Sequence, residues 1–180
     1  MRLEPIDPAG ADRRALVAFL TGNAFPFHLN GRPTAEEIER RIDEGAYRNE
    51  AQRSFWLVDG EEGRVGFVRL EDLGDPVPLF DLRLGEAYRG RGFGTRALRA
   101  VTSHVFGTMP AVNRFEGQTR EDNVGMRRVF LRCGWLMEGY YREAWPVEAG
   151  APLASIAYGI LRRDWERGET TPIDWATVTP

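Results

Sequence analysis

The chain has 180 residues, 42% of them hydrophobic and 28% charged, which suits one globular domain able to bury a core without staples. Its formal net charge is −3, and its arginines are interspersed with acids, so no basic face for nucleic acid is expected. One cysteine excludes an internal disulfide, and with His28 and His104 far apart no metal site is expected. The absence of a signal sequence or long apolar run predicts a cytoplasmic protein without membrane contact.

Residues 2–6 read as a short strand, and Ala15, Leu16, Phe19 and Leu20 as one face of a helix. After the aromatic loop Phe25-Pro26-Phe27-His28, Thr34 and Glu37 form a capping-box pattern before the stripe Ile38 and Ile42. Strands at 54–58 and 64–70 flank the turn 59–63, a hairpin. A strand over 77–84 runs into Arg89-Gly90-Arg91-Gly92-Phe93-Gly94-Thr95. A helix to about residue 106 follows, its apolar face at Phe93, Ala97, Leu98, Val101 and Val105. Next come a strand at 114–119 and a helix with Met126, Val129, Phe130 and Cys133 on one face, stopped by Gly134. Cys133 on that face reads as a buried structural thiol. A strand kinked at Gly139 and a final strand through residues 156–165 close the pattern, leaving 167–180 as a tail.

Strand, glycine loop and helix, in that order, describe an anion site. Glycines admit a ligand close to the backbone, and a helix N-terminus carries roughly half a positive charge. The letters fail the P-loop pattern, since Gly90 to Thr95 has the wrong spacing and every one of the 24 basic residues is arginine. They also miss a dinucleotide fingerprint, which would need glycine at Thr95.

Three further pieces carry a resemblance. R-x-x-G-x-G from Arg89 to Gly94 is similar to the acyl-CoA pyrophosphate loop of the GNAT superfamily of N-acetyltransferases. N-x-x-x-x-x-V-x-x-x-x-G-W-x-x-E-G from Asn123 to Gly139, and Tyr158-x-Ile160-Leu161-x-x-x-Trp165, resemble the branch of ribosomal-protein N-terminal acetyltransferases. The resemblance implies an α/β fold, a mixed and mostly antiparallel sheet of six or seven strands splayed at the cofactor, with about four helices. It implies one acyltransferase domain over 1–166 and acetyl-CoA as acyl donor. The donor would contact the strand end Leu82, Arg83 and Leu84, the loop Arg89, Gly90, Arg91, Gly92, Phe93, Gly94 and Thr95, and Asn123, whose position also fits a helix N-cap.

The chemistry so implied is direct attack of a primary amine, from a protein N-terminus or a small molecule, on the thioester. The amine must first be neutral, which needs roughly 1 kcal/mol at pH 7 for an α-amino group and roughly 4–5 for a lysine. In the relatives a serine follows the motif asparagine by three residues and a glutamate follows E-G; here those positions hold Met126 and Trp145, which cannot move protons. The candidates for acid–base work are Asp81, in an apolar strand that would raise its pKa, and Glu143, with His28 a further base and Tyr140, Tyr141 and Tyr158 further donors. Trp56, Trp135, Trp145 and the loop 25–28 are expected around the acceptor, and the acids of 36–50 on a solvated helix face. A catalytically silent acyl-CoA-binding or sensory module is the alternative, and the tail with Trp175 leaves a homodimer open.

Overall fold

Two antiparallel sheets stand edge to edge without merging. The computed structural model describes residues 1–147 and 149–177. In the first sheet β1 (Arg2–Pro5), β2 (Arg53–Asp59), β3 (Gly63–Glu71) and β4 (Leu79–Leu84) lie in that order; in the second, β5 (Arg114–Arg120), β7 (Leu153–Leu161) and β6 (Leu136–Trp145). Where β4 meets β5, one backbone bond from Glu116 N–H to Pro78 O, 3.3 Å, joins them among the described residues. The expected splayed, mostly antiparallel sheet is therefore present, opened between β4 and β5.

A wedge keeps that opening at a fixed width. Phe80 of β4 reaches into the aromatic cluster under the second sheet, its ring centroid 5.2 Å from Phe115, 5.8 Å from Trp135 and 6.2 Å from Phe130. Gly117 on β5 leaves the room, since a Cβ there would lie 2.6 Å from the Phe80 ring. Trp135 is thus core, as is Trp56, both under 3% exposed, and neither borders the acceptor as the sequence suggested.

The helices α1 (Arg13–Thr21) and α2 (Ala35–Asp43) cover one face of the first sheet with Leu16, Leu20, Ile38 and Ile42, against Trp56, Val58 and Phe67. The Thr34–Glu37 capping box is formed in both directions. On the other face α3 (Phe93–Thr108) buries Phe93, Ala97, Leu98, Val101 and Val105, and α4 (Val124–Arg132) adds Phe130, stacked on Tyr158 at 4.5 Å. Cys133 is half-buried at the end of α4, and burial pushes its thiol pKa up.

A fifth helix, α5 (Arg162–Arg167), replaces the end of the long last strand expected from sequence. The cause is Arg162, whose guanidinium donates to the carbonyls of Phe106, Met109 and Val112 at 2.7–2.8 Å. It caps α3 and turns the chain, a long-range bond that no local pattern announces. Asp164 then accepts from the Thr171 amide and hydroxyl, at 3.0 and 2.6 Å, holding the start of the tail. The last residues of that tail, 178–180, lie outside the described residues. No helix among the described residues is long and apolar enough to cross a membrane.

Candidate active site

Strand parity decides which backbone groups face the opening. Gly85 N–H donates to Val65 O at 3.0 Å, so residues of the same parity on β4, Arg83 and Asp81, exchange bonds with Phe67 and Arg69 on β3. Leu84, Leu82 and Phe80 turn their main-chain groups the other way, towards β5. Two bonds agree with this parity. Pro78 O accepts from Glu116, and Leu84 O accepts from the Arg89 guanidinium at 2.9–3.1 Å. Of the three residues expected to offer backbone to the donor, Leu82 and Leu84 face the gap and Arg83 does not: its main chain belongs to the β3 ladder.

The loop after β4 makes a short 3-10 turn at Glu86–Tyr88 and then needs glycine twice, since Gly90 and Gly92 have φ of 72° and 83°. α3 starts at once. Its first backbone bond runs from Arg96 N–H to Gly92 O, so the N–H groups of Phe93, Gly94 and Thr95 have no acceptor within the helix. No side chain caps them and no acid sits in the first turn. Gly94 lies against α4, where a Cβ would come 3.2 Å from Val129. Phe93 is buried and Thr95 half-buried.

The two loop arginines are engaged elsewhere. Arg89 donates to Leu84 O and, at 2.5 Å, to Ala24 O, tying the end of β4 to the loop after α1. Arg91 pairs with Glu62 at 2.5 Å and donates to Ala87 O at 3.2 Å. Both leave positive charge near the helix start while their own donors are in use. Asn123 is the N-cap of α4: its Oδ1 accepts from Met126 N–H at 3.2 Å, and its Nδ2 donates to Thr119 Oγ1 at 3.0 Å.

Beside this backbone edge lies a cavity of about 360 Å³, lined by Phe27 and His28, Arg41 of α2, Arg69 and Glu71 of β3, Phe80 to Arg83, Asn123, Met126 and Trp145 among others. Asp81 sits in it, 16% exposed, and its surroundings reverse the expected pKa shift. Burial would raise it. The His28 Nε2–H bond at 3.0 Å and the Arg83 guanidinium, at 3.0–3.1 Å from both oxygens, outweigh burial and hold the carboxyl well below the usual range. An ionised carboxylate so paired is a weak base. It is well suited to hold an imidazole, and His28 Nδ1, the opposite ring nitrogen, is buried without a partner.

Glu143 is not in this cavity. It is exposed, with φ +56°, in an irregular stretch of β6 where the pairing to β7 shifts between Tyr141 and Trp145. Two residues of alternation fail there, and Trp145 rather than Glu143 reaches the cleft. None of the three candidate tyrosines lines the cavity: Tyr158 is core, Tyr141 is exposed, and exposed Tyr140 donates to Glu121 at 2.6 Å, which raises its pKa. Arg41 and Arg69 were missed in the sequence. Arg41 sits among polar letters on α2 and Arg69 is a lone charge in the apolar run of β3, and only the crossing of α2 over β3 brings them together.

A family model described as an acetyltransferase (GNAT) domain matches residues 1–135. No curated protein matches the chain. Among solved structures, the spermidine N-acetyltransferase of Vibrio cholerae in complex with CoA and spermine superposes with a TM-score of 0.77 at 17% identity, over 91% of this chain and 96% of that one. A single-site variant of the same enzyme gives 0.73 at 18% identity, over 93% and 97%.

Proposed function

The chain belongs to the GNAT acetyltransferase family, and from that premise we propose that acetyl-CoA lies across the β4–β5 opening with its thioester at Leu82 and its pyrophosphate on the start of α3. The protein is an N-acetyltransferase with acetyl-CoA as acyl donor. Residues 1–166 act as the catalytic unit, with 167–180 appended. The amide N–H groups of residues 91–95 receive the pyrophosphate, with Arg89 and Arg91 contributing field rather than direct bonds. Asn123 retains one amide hydrogen and one lone pair for the pantetheine arm.

The Leu82 N–H is the donor for the thioester oxygen. Attack by the amine puts negative charge on that oxygen, and one fixed donor is worth about 3–4 kcal/mol to the tetrahedral intermediate. As that intermediate collapses the C–S bond breaks and CoA leaves as its thiolate, which takes up the proton that the attacking nitrogen sheds as it becomes an amide. Asp81 holds His28 through Nε2–H, which leaves Nδ1 as the nitrogen that can accept, and His28 takes the ammonium proton there before attack. In this reading Asp81 is a positioning residue and Glu143 has no catalytic part. The motif from Asn123 to Gly139 favours a protein N-terminus as acceptor; the fold likeness to polyamine enzymes favours a small amine.

One observation carries the assignment: main-chain groups of Leu82 open between two sheets on the strand whose following glycine loop leads into an uncapped helix N-terminus. Leu82→Pro tests it. The substitution removes that N–H without breaking a bond to β3. Thiol release is expected to fall by roughly 10²–10³ while the variant stays folded by circular dichroism. Unchanged turnover would refute the role of Leu82, and acetyl-CoA binding without turnover in the unaltered protein over a broad amine panel would favour a silent acyl-CoA module.

A further inference from the structure

The ionic inventory of the cavity is unbalanced, and its surplus is positive. Three guanidinium groups line it, Arg41, Arg69 and Arg83, against two carboxylates, Glu71 and Asp81. Both carboxylates are committed. Glu71 accepts from Arg69 Nε and Nη2 at 2.9 and 2.5 Å, and Asp81 is held by Arg83 and His28. Arg41 lies over the Tyr47 ring, 5.5 Å from its centroid, and has no carboxylate within 4 Å among the described residues.

Unpartnered buried atoms gather at the same place. Five buried side-chain polar atoms lack a hydrogen bond among the described residues, and two of them, His28 Nδ1 and Trp145 Nε1, belong to residues lining this cavity. Buried donors and acceptors are nearly always paired, so each of these two calls for a partner that the protein does not supply, a water or, in this cavity, a ligand atom. The indole N–H can only donate, and therefore asks for an acceptor oxygen. A guanidinium without a counter-ion asks for the same atom carrying negative charge. Between these polar groups the walls are apolar, Phe27, Leu29, Phe80 and Met126.

We propose that the acceptor is a primary amine that also carries a carboxylate, with Arg41 and the Trp145 indole N–H holding the carboxylate and the amine lying at His28. The assignment rests on the donor-site reading above. A polycation suits the cavity poorly, because a second ammonium would meet Arg41 and find both carboxylates already taken. Two sources share the required chemistry, a free amino acid and a peptide whose first residue is acidic.

Rates of thiol release from acetyl-CoA separate these cases. γ-Aminobutyrate is compared with n-butylamine, and a tripeptide amide opening with Glu with the same peptide opening with Gln. The carboxylate-bearing member of at least one pair is expected to have a roughly tenfold higher kcat/KM, and which pair does so tells the free amino acid from the peptide. Arg41→Gln and Trp145→Phe are each expected to shrink that ratio severalfold. Glutarate, which has no amine, gives a readout independent of turnover: it should bind the CoA-saturated protein by calorimetry and bind the Arg41→Gln variant more weakly. Equal rates within both pairs, spermidine outpacing every carboxylate-bearing amine, or no glutarate binding to the CoA complex would each overturn the proposal. Calorimetry with acetyl-CoA alone distinguishes the two levels of failure. Donor binding without an anion preference overturns the acceptor assignment only, whereas absent donor binding overturns the donor site and the acceptor assignment with it.

Discussion

The two walls of the cleft are made of different material. The wall proposed for the donor is main chain: the gap-facing groups of Leu82, two left-handed glycines and the open first turn of α3. Its arginines are spent on Leu84, Ala24, Ala87 and Glu62, so they stiffen the frame. The wall proposed for the acceptor is side chain, from α2, β3, β4, β6 and the loop after α1, and among the described residues holds a guanidinium with no carboxylate partner and two buried atoms with no hydrogen bond. A wall of backbone fits one constant ligand. A wall of side chains can be rewritten for another acceptor while the first stays as it is.

The contrast predicts that substitutions on the two walls fail in different ways. The largest effect is expected at His28. His28→Gln should lower kcat/KM by roughly 10²–10⁴ and leave acetyl-CoA affinity unchanged by calorimetry. A loss of donor binding instead would erase the distinction between the walls.

Asp81→Asn comes next, and its effect is on stability as well as rate. It leaves Arg83, 10% exposed, without its carboxylate, and removing one partner of such a pair costs about 3–5 kcal/mol, visible in denaturant melts. The sign with pH follows from the lowered pKa. The folded state binds the proton more weakly than the unfolded chain, so Asp81 contributes fully above the ordinary carboxylate value of 3.8 and progressively less as pH falls below it. The variant should show a shallower acid loss than the parent protein.

A smaller effect is expected on the donor wall. Gly92→Ala forces a side chain into the left-handed region at φ 83°, a strain of about 1–2 kcal/mol. It should weaken acetyl-CoA by roughly tenfold and leave the acceptor KM alone. Least of all is His104, on α3 away from both walls. Burial against Phe55 lowers its pKa below 6.5, so the folded state resists its protonation and loses stability as pH falls through that value. His104→Leu should flatten the stability profile between about pH 7 and 5, with no change in rate.

The same division explains what could be read from the letters. The glycine loop ahead of α3, Arg89 to Thr95, and the N-cap Asn123 are legible because such backbone features need particular residues in sequence order. The strands and the first four helices were legible too, since apolar periodicity is local. The acceptor wall was not. Arg41, Asp81 and Trp145 are 40 and 64 residues apart in order, and only the crossing of α2 over the first sheet and the approach of β6 from the second assemble them. Asp81 is visible as an oddity in an apolar strand, but the direction of its shift depends on Arg83, two residues along β4 on the same face, and on His28, which reaches it from the loop after α1. Glu143 misled because a strand was assumed to alternate through residues 141–145, where the structure has an irregularity. Arg162 turned the last strand into α5 by a contact fifty residues away along the chain.

Where acetyl-CoA sits is tested most directly by an amide-resolved NMR titration of ¹⁵N-labelled protein with acetyl-CoA. Saturable shifts are predicted at Leu82 and at Gly92 to Thr95, with Arg83, whose amide is bonded to β3, moving less than Leu82. Shifts centred elsewhere, or none at these amides under saturating acetyl-CoA, would contradict the donor wall described above.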